Sequence, residues 1–143
     1  MVTVVVAGKR RSRGMPHRLE VDRDHQITRM AYYGEVSEDE IRSTGSLAPT
    51  LIERFPHFST IIDFSEVTGY NVRSKFLTEF AKRPGQLPEN VPTVLIVPDM
   101  LGYGLARMFQ IVADRSNLFV VKSMPEALER LGVGEVSFVP VDI

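Results

Sequence analysis

Apolar residues in this chain alternate between two spacings. Residues 58–64 (FSTIIDF) are apolar on both faces, which predicts a parallel strand covered by helices on each side. Residues 93–97 and 118–121 read as further buried strands. Between them Val72, Phe76, Leu77 and Phe80 recur at helical spacing until Pro84-Gly85, and Leu101, Leu105, Met108, Phe109 and Val112 mark the inner side of a helix for which Asp99 is a suitable cap. Ahead of this region, residues 17–22 and 26–33 alternate through Leu19 with Val21 and Ile27 with Tyr33, and Arg23-Asp24-His25 joins them, so an antiparallel hairpin is expected. Ser37 and Glu40 form a capping box, and a helix is expected from Glu38, its stripe carried by Ile41, Leu47, Ala48, Leu51, Ile52 and Phe55. Gly45 and Pro49 predict a kink or restart near Ser46.

The last helix is announced by Ser123 with Glu126 and by Pro125, carries Ala127, Leu128 and Leu131 inward, and is closed by Gly132. Residues 2–7 and 135–143 are strand-like through their valines but have no evident place in the central sheet, so each is expected to pair with the other or with a second subunit. The division is an arm with a basic cluster at 1–14, an α/β domain at 15–133 and a strand-like tail at 134–143. The fold class is α/β, a single-domain mixed sheet of about five strands, antiparallel in its N-terminal hairpin and largely parallel beyond it, with four helices.

Composition narrows the function classes. At 143 residues one domain is expected, and 17 basic against 18 acidic residues leave a net charge of -1, with no basic excess for nucleic acid. The apolar fraction of 43% argues against disorder. With no cysteine there is no disulfide, thiolate metal site or cysteine nucleophile, which fits a reducing compartment; cytoplasm is the expected location. Lys9, Arg10, Arg11 and Arg13 follow an apolar stretch instead of preceding it, unlike a secretory signal, and no run approaches the ~18 apolar residues of a membrane span.

Candidate chemistry gathers after the strand at 58–64, since open α/β sheets bind ligands beyond the carboxyl ends of their strands. Asp63, Ser65, Thr68, Tyr70, Asn71, Arg73 and Ser74 are expected in a polar loop there, with Tyr103 and Arg107 on a neighbouring helix. Asp63 and Ser65 hold a turn by bonding to nearby backbone amides, or the amides of Tyr70 to Arg73, together with Arg73 itself, seat a phosphate or carboxylate at the helix start. His17, His25 and His57 lack metal-ligand spacing, no serine sits in a nucleophile elbow, and Gly102-Tyr103-Gly104 is too short for a dinucleotide fingerprint. No metal, cofactor or catalytic residue is expected.

Three stretches, Ile62-Asp63-Phe64-Ser65, the segment from Tyr103 to Phe109 and Ser123-Met124-Pro125-Glu126-Ala127-Leu128, make residues 17–132 resemble STAS domains, the fold of the sporulation anti-sigma factor antagonist, SpoIIAA. More narrowly the chain resembles small bacterial STAS-like proteins grouped with the CRAL-TRIO lipid-binding fold. The resemblance implies a non-catalytic binding or regulatory module that recognises a partner protein or small anionic ligand at the loop after the third strand. Those antagonists are phosphorylated on a serine in an Asp-Ser-Ser-Gly loop. Here the corresponding loop, 68–74, has no Asp-Ser pair, so only the positions of Thr68 and Ser74 suit a phosphate. The alternative implied is a carrier of an apolar molecule, which needs a cavity on the order of several hundred Å3 lined by side chains such as Phe76, Phe80, Leu105 and Phe109. A homodimer through the termini completes the expectation.

Overall fold

The computed structural model describes residues 17–83, 88 and 90–142. A hairpin opens the chain: β1 (His17–Asp22) pairs antiparallel with β2 (Ile27–Ser37), Val21 facing Thr28 and Asp22 facing Ile27. Two short helices follow, α1 (Glu38–Gly45) and α2 (Ala48–Arg54). The expected restart at Ser46 is real, because Pro49 lies in the first turn of α2 and so opens a new helix. The Ser37–Glu40 capping box is complete in both directions.

The remainder alternates strand and helix: β3 (Ser59–Asn71), α3 (Ser74–Ala81), β4 (Thr93–Ile96), α4 (Met100–Ala113), β5 (Leu118–Val121), α5 (Met124–Leu131) and β6 (Val139–Pro140). The sheet has six strands in the order β5-β4-β3-β2-β1-β6, parallel from β2 to β5. One face of the sheet meets α5 and the segment after it, where Ile27, Ile61, Val94, Ile96 and Val121 pack with Ala127 and Phe138. The other face, with Met30, Tyr32, Ile62, Phe64, Leu95 and Val97, meets α1 to α4.

Three expectations need correction. First, β3 does not end at Phe64 but runs on to Asn71, so the polar stretch expected as a loop is strand. It pairs with the end of β2 through Gly34↔Val67, Val36↔Tyr70 and Ser37↔Asn71. Two register shifts, each placing an extra residue in β3, break the period-two pattern that would have marked it as strand. Second, the C-terminal tail has its partner inside the chain: β6 pairs with β1 through Glu20↔Pro140 and Val21↔Val139, so the sixth strand comes from the tail. The N-terminal arm lies outside the described residues. Third, Leu101 does not face inward but is 64% exposed, because the first turn of α4 stands beyond the end of β4, with Asp99 as its cap; Gly102 and Ala106 are the buried residues of this helix.

Candidate functional site

Two places were candidates, the carboxyl edge of the sheet and the space under the helices. At the edge, the residues expected together are divided among separate tasks. Asp63 is buried within β3 at 3% exposure, and its Oδ2 accepts from Arg29 Nε at 3.2 Å and Nη2 at 2.7 Å. Its Oδ1 accepts from the backbone and hydroxyl of Ser65, and Arg29 also pairs with Glu20. The bonding of Asp63 to a nearby amide is therefore present, but inside a strand, with the Arg29 ion pair on the other oxygen, and not on an exposed turn.

Arg73, the cation proposed for an anionic ligand, forks onto Glu38. Its Nε and Nη2 donate at 2.8 and 2.9 Å, and its own amide donates to the same carboxylate at 2.8 Å. The Arg73 side chain and amide hold the Glu38 carboxyl at about 2, well below its ordinary 4.5. Glu38, from the first turn of α1, thus fills the position at the start of α3 where a phosphate or carboxylate would otherwise sit. Thr68, Asn71 and Ser74 are exposed, Ser74 being the first residue of α3. Tyr103 lies under the Lys122 ammonium, 5.0 Å from the ring centroid, and Arg107 is exposed with no ion pair or hydrogen bond among the described residues.

Tyr70 reaches across the edge to the start of α4. Its hydroxyl donates to Asp99 Oδ1 at 3.0 Å, and burial, aided by the Asp99 charge, raises its pKa. Asp99 also caps α4 through the Gly102 amide at 2.7 Å. Gly102 admits this approach: a Cβ there would lie 2.6 Å from Val97 Cγ1 and nearer still to the Tyr70 hydroxyl.

Under the helices the structure holds a cavity of about 170 Å3. Sheet residues Met30, Tyr32, Ile62, Phe64, Leu95 and Val97 form one wall, and α1, α2, α3 and α4 supply Ile41, Thr44, Leu51, Leu77, Phe80, Leu105 and Phe109 to the other. Of the four phenylalanine and leucine positions expected for an apolar carrier, Phe80, Leu105 and Phe109 line it; Phe76 packs behind them against Phe80. Among the described residues no charged side chain belongs to the lining. The polar side chains among the described lining residues are those of Thr28, Tyr32, Thr44, Thr60 and Tyr70. Tyr32 stacks on Phe64, ring centroids 5.0 Å apart, and its hydroxyl meets Thr44 Oγ1. Burial pushes the Tyr32 phenol up to about 12, so it stays protonated. Ile52, 37% exposed and part of the lining, carries the wall to the surface at α2.

Sequence reasoning missed Tyr32 and Thr44. A signal existed: Thr44 lies three residues after Ile41 and four before Ala48, on the apolar stripe of its helix, where a hydroxyl has to find a partner inside. Among the described residues no cluster of histidine and carboxylate groups is placed to hold a metal ion.

With this geometry in view, comparison with known proteins defines the class. The chain has a STAS-type, SpoIIAA-like fold. Its structure resembles the anti-sigma factor antagonist SpoIIAA in its unphosphorylated form, with a TM-score of 0.54 at 14% identity over 81% of this chain and 97% of that one. It also resembles an uncharacterised protein of the DUF3478 family from Shewanella loihica PV-4, itself described as having a SpoIIAA-like fold, with a TM-score of 0.50 at 15% identity over 80% and 91% of the two chains. No protein-family profile and no curated protein sequence matches the chain.

Proposed function

We propose that the protein is a non-catalytic binding module of STAS type that takes up one small, uncharged, apolar molecule between its sheet and its helical layer. The observation that carries this is the cavity of about 170 Å3, to which no charged side chain belongs among the described residues. Protein interiors are close-packed with few voids larger than a water molecule, so a space of this size is not ordinary packing slack. A cavity of about 150 Å3 lined by leucine, isoleucine and phenylalanine stays dry and binds benzene. The volume here suits one or two fused rings or a short chain and is too small for a whole lipid, which narrows the apolar-carrier reading. Thermal unfolding with naphthalene and native mass spectrometry test it together. A raised midpoint and a retained mass are expected in the wild type, and both should vanish in Ala106→Phe, which fills the space from α4. A wild type that binds nothing would overturn the reading.

A second reading, docking of a partner protein at the carboxyl edge, is favoured by Met100 and Leu101, 91% and 64% exposed on the first turn of α4. Isolated apolar residues are common on surfaces, but two large ones side by side mark a candidate interface. Thr68, Asn71, Ser74, Tyr103 and Arg107 would supply its polar rim. A phosphate on Ser74 would compete with Glu38 for Arg73, linking this edge to any kinase that acts on it. Capture of one partner by the wild type, lost in Met100→Glu/Leu101→Glu with unchanged stability, is the outcome expected; equal capture by both would remove the reading.

A further inference from the structure

The cavity's hydroxyls can be followed proton by proton. Thr44 has one hydroxyl hydrogen, and its Oγ1 lies 2.9 Å from the carbonyl of Glu40 and 3.2 Å from that of Ile41, both of which can only accept. The proton shared with Tyr32 is therefore the tyrosine's, running Tyr32 O–H to Thr44 Oγ1 to the helix backbone. Tyr70 gives its proton to the Asp99 carboxylate, again a pure acceptor. Thr28 shares its proton between the Ser59 carbonyl at 3.3 Å and Thr60 Oγ1 at 3.4 Å, both of which accept from it. With the Tyr32, Thr44 and Tyr70 protons claimed by the protein, what the Tyr32 oxygen retains for a guest is a lone pair.

From this, and resting on the proposed cavity function, we infer that the ligand is a neutral ring compound or short-chain molecule bearing one N–H or O–H, which it donates to the Tyr32 oxygen. A carboxylate or ketone finds no donor at Tyr32, and among the described lining residues a carboxylate meets no cation and an ammonium no counter-charge. A pocket built to pair one polar atom discriminates against analogues lacking it, because a buried unpaired group is costly.

Three probes of matched size decide it: indole, which donates; indene, which has no polar atom; and 1-indanone, which only accepts. Isothermal titration of the wild type is expected to give indole about tenfold tighter binding than either of the others, the scale of one net hydrogen bond. Tyr32→Phe should remove that preference while indene binding is kept. Thr44→Val takes away the acceptor of the Tyr32 proton and turns that proton toward the guest, so 1-indanone should now exceed indole. Should Thr44→Val not fold, the Tyr32→Phe arm decides alone. A wild type that binds 1-indanone as well as indole, or a Tyr32→Phe protein that still prefers indole, overturns the inference and leaves the cavity function standing. Failure of every probe to bind overturns both.

Discussion

Asp63 gives both carboxylate oxygens to hydrogen bonds, one to Ser65 and one to the Arg29 guanidinium. Arg29 is 13% exposed in its side chain and sits 5.7 Å from the ring centroid of Phe138, so removing its partner leaves a poorly solvated charge. Breaking such a pair costs about 3 to 5 kcal/mol. Since Glu20 remains beside Arg29, Asp63→Ala is expected near the lower limit, about 3 kcal/mol by urea unfolding, and Arg29→Met/Asp63→Leu should recover most of it. Gly102 is a second sensitive position. Alanine there gains helix propensity but meets Val97 and Tyr70, and overpacking of about 1 to 3 kcal/mol should dominate, visible as a lowered unfolding midpoint. Residues of this kind were only partly legible in the sequence. The proximity of Asp63 to Ser65 was readable because it is local, whereas Arg29 lies 34 positions away and its approach depends on the register of β2 against β3.

Among the elements, a single carboxylate ties the start of the tail to the β1–β2 turn, ahead of the pairing of β6 with β1. Asp22 Oδ2 accepts from the Ser137 amide at 2.8 Å and Oδ1 from the His25 amide at 3.0 Å, with the His25 ring alongside. Burial alone would raise its pKa, but these donors outweigh burial and bring it to about 2 from 3.8. A carboxyl lowered on folding contributes stability that is complete above its unfolded value and is lost as pH falls through the folded one. Proteolysis of the 133–142 segment should therefore stay slow above about pH 4 and accelerate toward pH 2, and Asp22→Asn should be cut faster at neutral pH. Helix α2 is anchored differently: it has no side-chain cap and, among the described residues, none of its own is buried. Its amides are expected to exchange faster than those of α4, and an occupied cavity should slow them. The capping box that starts α1 could be read from four consecutive residues, as could the prolines that divide the helices. The extension of β3 could not, since its bulges are settled by β2.

For the whole molecule, the alternation of buried strands and striped helices was enough to anticipate a mixed α/β sheet under helices, because a continuous apolar run needs cover on both faces, while its STAS type came from the resemblance of three short stretches. The order of strands at the sheet's far side escaped, since a two-residue strand such as β6 carries almost no pattern of its own. The cavity entered the sequence reading only as a requirement of the carrier alternative: periodicity shows that Phe80, Leu105 and Phe109 point inward but not how far apart their helices stand. Removing residues 133–142 should bare the outer edge of β1 and the apolar surface under Val136 and Phe138. Such a truncated chain is expected to self-associate, seen as a rise in sedimentation coefficient with concentration, while the full chain stays unchanged over the same range.

That the earliest strand of the described fold is closed by the latest has a bearing on biosynthesis. A ribosome adds about 5 to 20 residues per second, so β1 emerges several seconds before residues 139 and 140 can reach it. Throughout that interval the nascent polypeptide presents an unfinished border, and a chaperone that shields extended segments would find its binding window there, closing only when translation passes Pro140.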